Sequence, residues 1–259
     1  MRISVRNLAV SYQTPGGDEL PALGPLSLSV ETGTFVSVVG PSGCGKSTLI
    51  RILAGLQQPT RGEARLDDMV IHEPPHSVGL MFQDANLMPW RTVRDNIALP
   101  LELAGVDKQQ RYAAVEVLLP ALGLSGFALS YPGELSGGMA QRTALGRVLI
   151  QKPAVLLLDE PFGALDAMTR EQVSLDMLRM WAKERQTAVM VTHDINEAVL
   201  LSDRVLVMTP RPGQIAADVP VPLPRPRQFD MIYTDSFAQT THQVRAAIAK
   251  PRVDQPGPS

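Results

Sequence analysis

An α/β fold built around a parallel sheet is what this chain predicts, on three observations. Short apolar runs of strand length recur along it: Phe35-Val36-Ser37-Val38-Val39, residues 154–158, and Ala188-Val189-Met190-Val191. Patterns of helical period separate the runs, the alternation that parallel strands joined by crossover helices require. The first run also leads straight into a glycine-rich turn and an amphipathic helix. The carboxyl edge of the sheet is therefore where the chemistry is expected.

The remaining elements follow in order. The first 30 residues and residues 63–71 read as hairpin material and are expected to form a small antiparallel subdomain beside the main sheet. Between about 87 and 150 the composition turns helical, with Leu/Ala-rich stretches such as residues 112–122, which marks a helical insertion. After Val219 come Pro220, Pro222, Pro224 and Pro226, a spacing that forbids helix and favours an extended, exposed segment. The chain thus divides into a globular unit, residues 1–219, and a peripheral Pro-rich extension, residues 220–259, whose end at Pro256-Gly257-Pro258 is expected to fray. No repeat of solenoid or propeller period is present.

Composition removes several functional classes. The 259 residues carry 24 Lys+Arg against 26 Asp+Glu, a net charge of -2, so there is no basic excess of the kind that holds nucleic acid. The longest apolar runs fall far short of the roughly 20 residues a spanning helix needs. The start, Met1-Arg2-Ile3-Ser4-Val5-Arg6, lacks the apolar stretch of a secretory signal, and a single cysteine, Cys44, allows no intrachain disulfide. Residence in the cytoplasm is the expectation.

Gly40-Pro41-Ser42-Gly43-Cys44-Gly45-Lys46-Ser47 fits G-x-x-x-x-G-K-[ST] directly between a strand and a helix, the context that gives this motif its meaning. Its glycines let backbone N–H groups converge on a polyphosphate, and the helix N-terminus adds a positive dipole end. Lys46 is expected to reach the β- and γ-phosphates, Ser47 to give its hydroxyl to Mg²⁺, and Thr48 to make a lesser phosphate contact. Leu49, Ile50, Leu53 and Leu56 recur at helical spacing and are expected to face the sheet. Cys44 reads as a small residue tolerated in the loop, its sharper alternative being a thiol activated by the helix end.

Val155-Leu156-Leu157-Leu158-Asp159-Glu160 is a buried-strand pattern ending in two carboxylates at the same sheet edge. Asp159 is expected to hold Mg²⁺, and Glu160 to act as general base on an attacking water. Gln83 and His193 also follow predicted strands there: a glutamine can orient water and ligate Mg²⁺, and a histidine can donate to a γ-phosphate. His72, His76 and His242 have no such context.

Leu135-Ser136-Gly137-Gly138-Met139-Ala140-Gln141-Arg142, between the phosphate loop and the acidic strand, closely resembles the signature segment of ABC transporter ATPases. The resemblance implies the P-loop NTPase fold of the ABC-type nucleotide-binding domain, with an antiparallel β subdomain and a helical signature subdomain. It implies that Tyr12 stacks on adenine, that Gln83 is the Q-loop glutamine and His193 the switch histidine, and that Gly163-Ala164-Leu165-Asp166 is the D-loop. Ser136, Gly137 and Gly138 are then a second anion site, for the γ-phosphate of an ATP held by another copy, so that a head-to-tail dimer forms composite sites. Met139 and Ala140 stand where a Gln and a basic residue are frequent in the family.

Met81-Phe82-Gln83-Asp84-Ala85-Asn86-Leu87-Met88-Pro89-Trp90, with Thr92-Val93-Arg94-Asp95-Asn96 and Thr209-Pro210-Arg211-Pro212-Gly213, is similar to the ATPases of bacterial nitrate, sulfonate and taurine importers. That resemblance implies transmembrane permease subunits and, indirectly, a periplasmic substrate-binding protein as partners, no nucleic acid, and a place at the cytoplasmic face of the inner membrane. Met88 and Trp90 are either anchors for the permease or core residues of the helical insertion. Competing readings are the ATPase of an exporter, a non-transport ABC protein, and a binding module that uses residues 220–227 as an extended ligand.

Overall fold

The computed structural model describes residues 1–14, 16–163 and 165–249. Its larger sheet has the strand order β10-β9-β3-β8-β7-β6. Within it β3 (Phe35–Val39), β6 (Val78–Met81), β7 (Val155–Asp159), β8 (Thr187–Thr192) and β9 (Arg204–Met208) run parallel, and β10 (Ile215–Pro220) closes one edge antiparallel to β9. β3 and β8 are buried along their whole length, because helices cover both faces; this is why they read as mainly apolar runs with only small Ser and Thr side chains among them.

The smaller sheet is antiparallel, in the order β2-β1-β4-β5, from β1 (Ile3–Gln13), β2 (Glu19–Val30), β4 (Arg61–Leu66) and β5 (Met69–Val70). The two expected hairpins are joined through the β1–β4 pairing. Ile3, Val5, Leu8 and Val10 alternate inward from β1 onto α1 (Lys46–Leu53), whose Leu49, Ile50 and Leu53 close that core. Leu56 does not join them, contrary to what the periodicity predicted: α1 ends at the Ala54 cap, Gly55 turns the chain at φ 72, and Leu56 beyond it is 52% exposed.

The insertion is helical, with α2 (Val93–Leu103), α3 (Lys108–Leu118) and α4 (Gly137–Leu149). Asn96, fully buried on α2, donates to the carbonyls of Met88, Arg91 and Thr92 and accepts from the Met88 N–H, which ties the segment before α2 onto that helix. α5 (Ala167–Glu184) brings Trp181 edge-on to Phe35, ring centroids 5.5 Å apart, behind the sheet.

The extension beyond residue 219 is only half as exposed as the proline spacing suggests. Pro220, Pro222, Pro224 and Pro226 face solvent, while Val221 and Leu223 between them and Arg227 just after them are buried and Arg225 is half-buried, the alternation of an extended strap. The strap ends in a 3-10 turn (Phe229–Tyr233) and a helix the sequence reading did not anticipate, α7 (Asp235–Ala249), whose Phe237 and Val244 pack with Val205 and Val207. Arg225 donates to the Leu201 carbonyl, and Arg227 to those of Val199, Leu200 and Ser202. Two arginines thereby serve the orphan carbonyls at the end of α6 (Ile195–Leu201). Pro256-Gly257-Pro258 lies outside the described residues. No helix among the described residues is long and apolar enough to cross a membrane.

Candidate active site

The phosphate loop joins β3 to α1 as expected. Gly43 and Gly45 adopt φ 75 and 101, and a Cβ on Gly45 would lie 2.4 Å from Leu23 Cδ2, so the loop passes where only bare backbone fits. Ser42 and Gly43 form the exposed lip, while Cys44 turns its side chain inward, 1% exposed. Burial pushes the Cys44 thiol up against the pull of Lys46, which removes the activated-thiol alternative.

Lys46 is 6% exposed and donates to the carbonyls of Gly40 at 2.9 Å and Pro41 at 3.1 Å. Among the described residues no carboxylate pairs with it, so a buried ammonium waits in a loop of converging amides, a setting that fits an anionic phosphate chain. Ser47 donates its hydroxyl to Asp159 Oδ1 at 3.0 Å across the gap from α1 to the end of β7. Burial raises the Asp159 carboxyl, with Glu160 adding to the effect and the Ser47 bond opposing it. A hydroxyl beside a half-buried carboxylate is an oxygen donor set suited to a hard divalent cation, whose charge would offset that burial. Among the described residues no cluster of three His, Cys, Asp or Glu could hold a metal unaided, so a cation here needs phosphate and water oxygens as well.

Thr48, expected on the phosphates, has its hydroxyl 3.3 Å from the Tyr12 hydroxyl, which also accepts from Gln57 Nε2 at 3.0 Å. The Thr48 bond holds the Tyr12 phenol below its ordinary range; burial opposes it, and Gln57, Arg51 and Arg211 assist. The 41% exposed ring of Tyr12 thus stands over the first turn of α1.

Glu160, one residue past β7, sits at φ 46, a left-handed conformation that costs a non-glycine residue roughly 1–2 kcal/mol. Its N–H donates to the Val191 carbonyl at 2.9 Å and its carbonyl accepts from Gly163 at 3.1 Å, which holds the backbone there and aims the carboxylate along the sheet edge. Glu160 Oε2 lies 3.0 Å from His193 Nδ1, carried just past the end of β8. Gln83, past β6, reaches the same place: a Cβ on Gly163 would be 3.5 Å from Gln83 Nε2 and 3.6 Å from Glu160 Oε2. Its backbone carbonyl accepts from Gln141 Nε2 of α4 at 2.7 Å, a tether that sequence reasoning missed.

Ser136, Gly137 and Gly138 are not brought to this loop. Ser136 caps α4 by accepting from the Met139 N–H at 3.3 Å; α4 packs on α2, α5 and β6, whereas α1 packs on β4, β7 and β8. Gly137 faces Leu165, and a Cβ on Gly138 would lie 2.4 Å from Thr169 Cγ2, so Gly138 also answers a packing need. Asp166 caps α5 by accepting from the Thr169 N–H at 3.0 Å; the Thr169 hydroxyl first, and that N–H second, hold its carboxyl below the usual range. Ala164 of the expected D-loop is outside the described residues. Trp90 is 71% exposed, which rules out its core reading; Met88 is half-buried.

Residues 23–163 match the ABC transporter family (ABC_tran). The uncharacterized ABC transporter ATP-binding protein MJ0412 of Methanocaldococcus jannaschii is 45% identical over 227 residues, 88% of this chain and 85% of that one. The taurine import ATP-binding protein TauB of Roseobacter denitrificans is 42% identical over 220 residues, 85% of this chain and 82% of that one. The nitrate import ATP-binding protein NrtC of Synechococcus elongatus is 44% identical over 91% of this chain, which spans 36% of its length. Among solved structures, a dimeric post-hydrolysis state of the ATP-binding cassette MJ0796 bound to ADP and Pi superimposes with a TM-score of 0.74 at 31% identity, covering 85% of this chain and 98% of that one. Its sequence, its fold and the placing of its phosphate loop agree on one origin: the protein belongs to the ABC transporter family, as one of its ATP-hydrolysing cassettes.

Proposed function

We propose that the chain is the motor subunit of an importer for a small solute of the nitrate, sulfonate or taurine kind. It works as two copies bound to permease subunits at the cytoplasmic face of the cell membrane. The observation that carries the catalytic part is the convergence of Ser47–Asp159 and Glu160–His193 on one sheet edge beside a buried Lys46 that no carboxylate pairs with among the described residues. The importer part is supported by 42–44% identity to taurine and nitrate import ATP-binding proteins.

In this reading Tyr12 stacks on adenine, and the amides of residues 40–48 with Lys46 hold the phosphate chain. Ser47, Asp159 and Gln83 would hold Mg²⁺, which when bound would supply positive charge against the phosphate oxygens. Glu160 takes a proton from water as its oxygen bonds to the γ-phosphorus and the bond to the β–γ bridging oxygen breaks, leaving ADP and phosphate. His193 orients Glu160 through the 3.0 Å contact and donates to the γ-phosphate. Ser136, Gly137, Gly138 and Asp166 come from the second copy; for the first three this is supported by α4 packing on α2, α5 and β6 and not on α1.

Closure around ATP and opening after hydrolysis would be passed to the permease through the segment after Gln83, where Trp90 offers an exposed aromatic anchor. The solute itself is chosen by the permease and a periplasmic binding protein. The test is ATP hydrolysis by the chain with its membrane subunits in lipid, with and without a binding protein loaded with taurine, an alkanesulfonate or nitrate. Stimulation by one loaded protein is expected; hydrolysis indifferent to all of them, with export of a solute instead, would overturn the importer reading.

A further inference from the structure

The turn between β9 and β10 carries Thr209-Pro210-Arg211-Pro212-Gly213, a segment the catalytic reading leaves unused. It is built directly on the phosphate loop. The Gly213 N–H donates to the Ala22 carbonyl at 3.1 Å, the Gly24 N–H donates to the Gly213 carbonyl at 2.8 Å, and a Cβ on Gly213 would lie 1.9 Å from the Cys44 carbonyl oxygen. So close an approach admits only glycine, and it fixes the turn against the loop.

From that platform Arg211 extends over the lip. Its Nε donates to the Gly43 carbonyl at 3.2 Å, and Nη2 lies 3.9 Å from where a Gly43 Cβ would stand, with no other atom within 4 Å of that point. The guanidinium is exposed, and among the described residues no carboxylate forms an ion pair with it. One of its five donors is used by the Gly43 carbonyl, and the space beside it opens onto bare loop backbone.

We propose that Arg211 is a nucleotide-binding residue, a second cation that meets the phosphate chain at the outer rim of the loop while Lys46 meets it from within. The Gly43 carbonyl orients the guanidinium, leaving its terminal N–H groups for phosphate oxygens, for which the planar fork is suited. The proposal rests on the phosphate-loop reading, and Lys46→Ala serves to separate the two.

The experiment is titration of the full chain with ATP, with ADP and with adenosine, comparing the unaltered protein, Arg211→Ala, Arg211→Lys, Arg211→Glu and Lys46→Ala, each checked by thermal melting without nucleotide. Expected are a three- to tenfold rise in Kd for both nucleotides in R211A, a larger rise in R211E, partial recovery in R211K, and an unchanged melting temperature. The gap between R211A and the unaltered protein should narrow at high salt. Kd values within twofold of the unaltered protein in R211A and R211E would overturn the proposal and leave Arg211 as a tether of the loop. Loss of affinity for adenosine as great as for ATP would also overturn it, placing the contact on the base. If K46A bound ATP as the unaltered protein does, the phosphate-loop reading would fall instead.

Discussion

His193 Nδ1 and Glu160 Oε2 lie 3.0 Å apart, although 33 residues of chain separate them, because β7 and β8 are neighbours in register and both residues emerge just past the same sheet edge. The contact puts a histidine, 57% exposed at its side chain, against a carboxylate that is 22% exposed, so one partner faces an incoming phosphate while the other is shielded. Replacing His193 by alanine should leave ATP affinity within a few-fold and lower kcat by about 10²–10³, as for loss of one hydrogen-bond donor to charge developing in the transition state. Single-turnover hydrolysis beside equilibrium ATP binding checks this, and a fall in affinity matching the fall in rate would count against it.

Ser47→Ala removes the hydroxyl that lies beside Asp159 in the proposed cation site. ATP affinity measured in Mg²⁺ should fall by about tenfold, while affinity measured in a chelator should barely change. Equal losses in both conditions would mean that the hydroxyl serves the loop and not the metal.

Gly138 is expected to be required for stability as well as for chemistry. Gly138→Val drives a side chain into Thr169 Cγ2 and should cost about 1–3 kcal/mol of folding free energy, with part of it recovered by Thr169→Ser. Denaturant unfolding of the two variants and the double variant measures the coupling.

Glu197 supplies a pH signature. Its carboxyl is pushed up to about 7, chiefly by burial, with the Thr192 hydroxyl opposing and Asp194 adding to the rise. A carboxyl whose folded pKa lies above its unfolded 4.5 binds more protons when folded, so its contribution to stability is lost as pH rises between about 4.5 and 7. The loss is at most about 1.4 kcal/mol per pH unit. Glu197→Gln should flatten that slope in unfolding midpoints taken from pH 5 to 8.

Much of this site was legible because its parts are local. The eight residues from Gly40 to Ser47 need only their own glycines and the flanking strand and helix, and the acids at 159 and 160 announce themselves by ending an apolar run. What escaped was long-range. Nothing near Thr48 says that its hydroxyl meets Tyr12, nothing near Gln141 says that it holds Gln83, and Arg225 and Arg227 serve a helix end about 25 residues earlier in the chain. The strap did leave a signal: prolines at every even position from 220 to 226 leave the odd positions free to turn inward, a period of two that the proline content masks. Leu56 failed for the opposite reason, since helical period was carried past a glycine that ends the helix.

The measurement that bears most directly on the account is ATP binding, hydrolysis and oligomeric state of Glu160→Gln beside the unaltered chain. ATP affinity is expected to be retained, hydrolysis to fall by at least about a hundredfold, and a dimer to persist in ATP because the closed state cannot turn over. Hydrolysis at the parent rate would remove Glu160 as the base, and with it the catalytic meaning of its contact with His193.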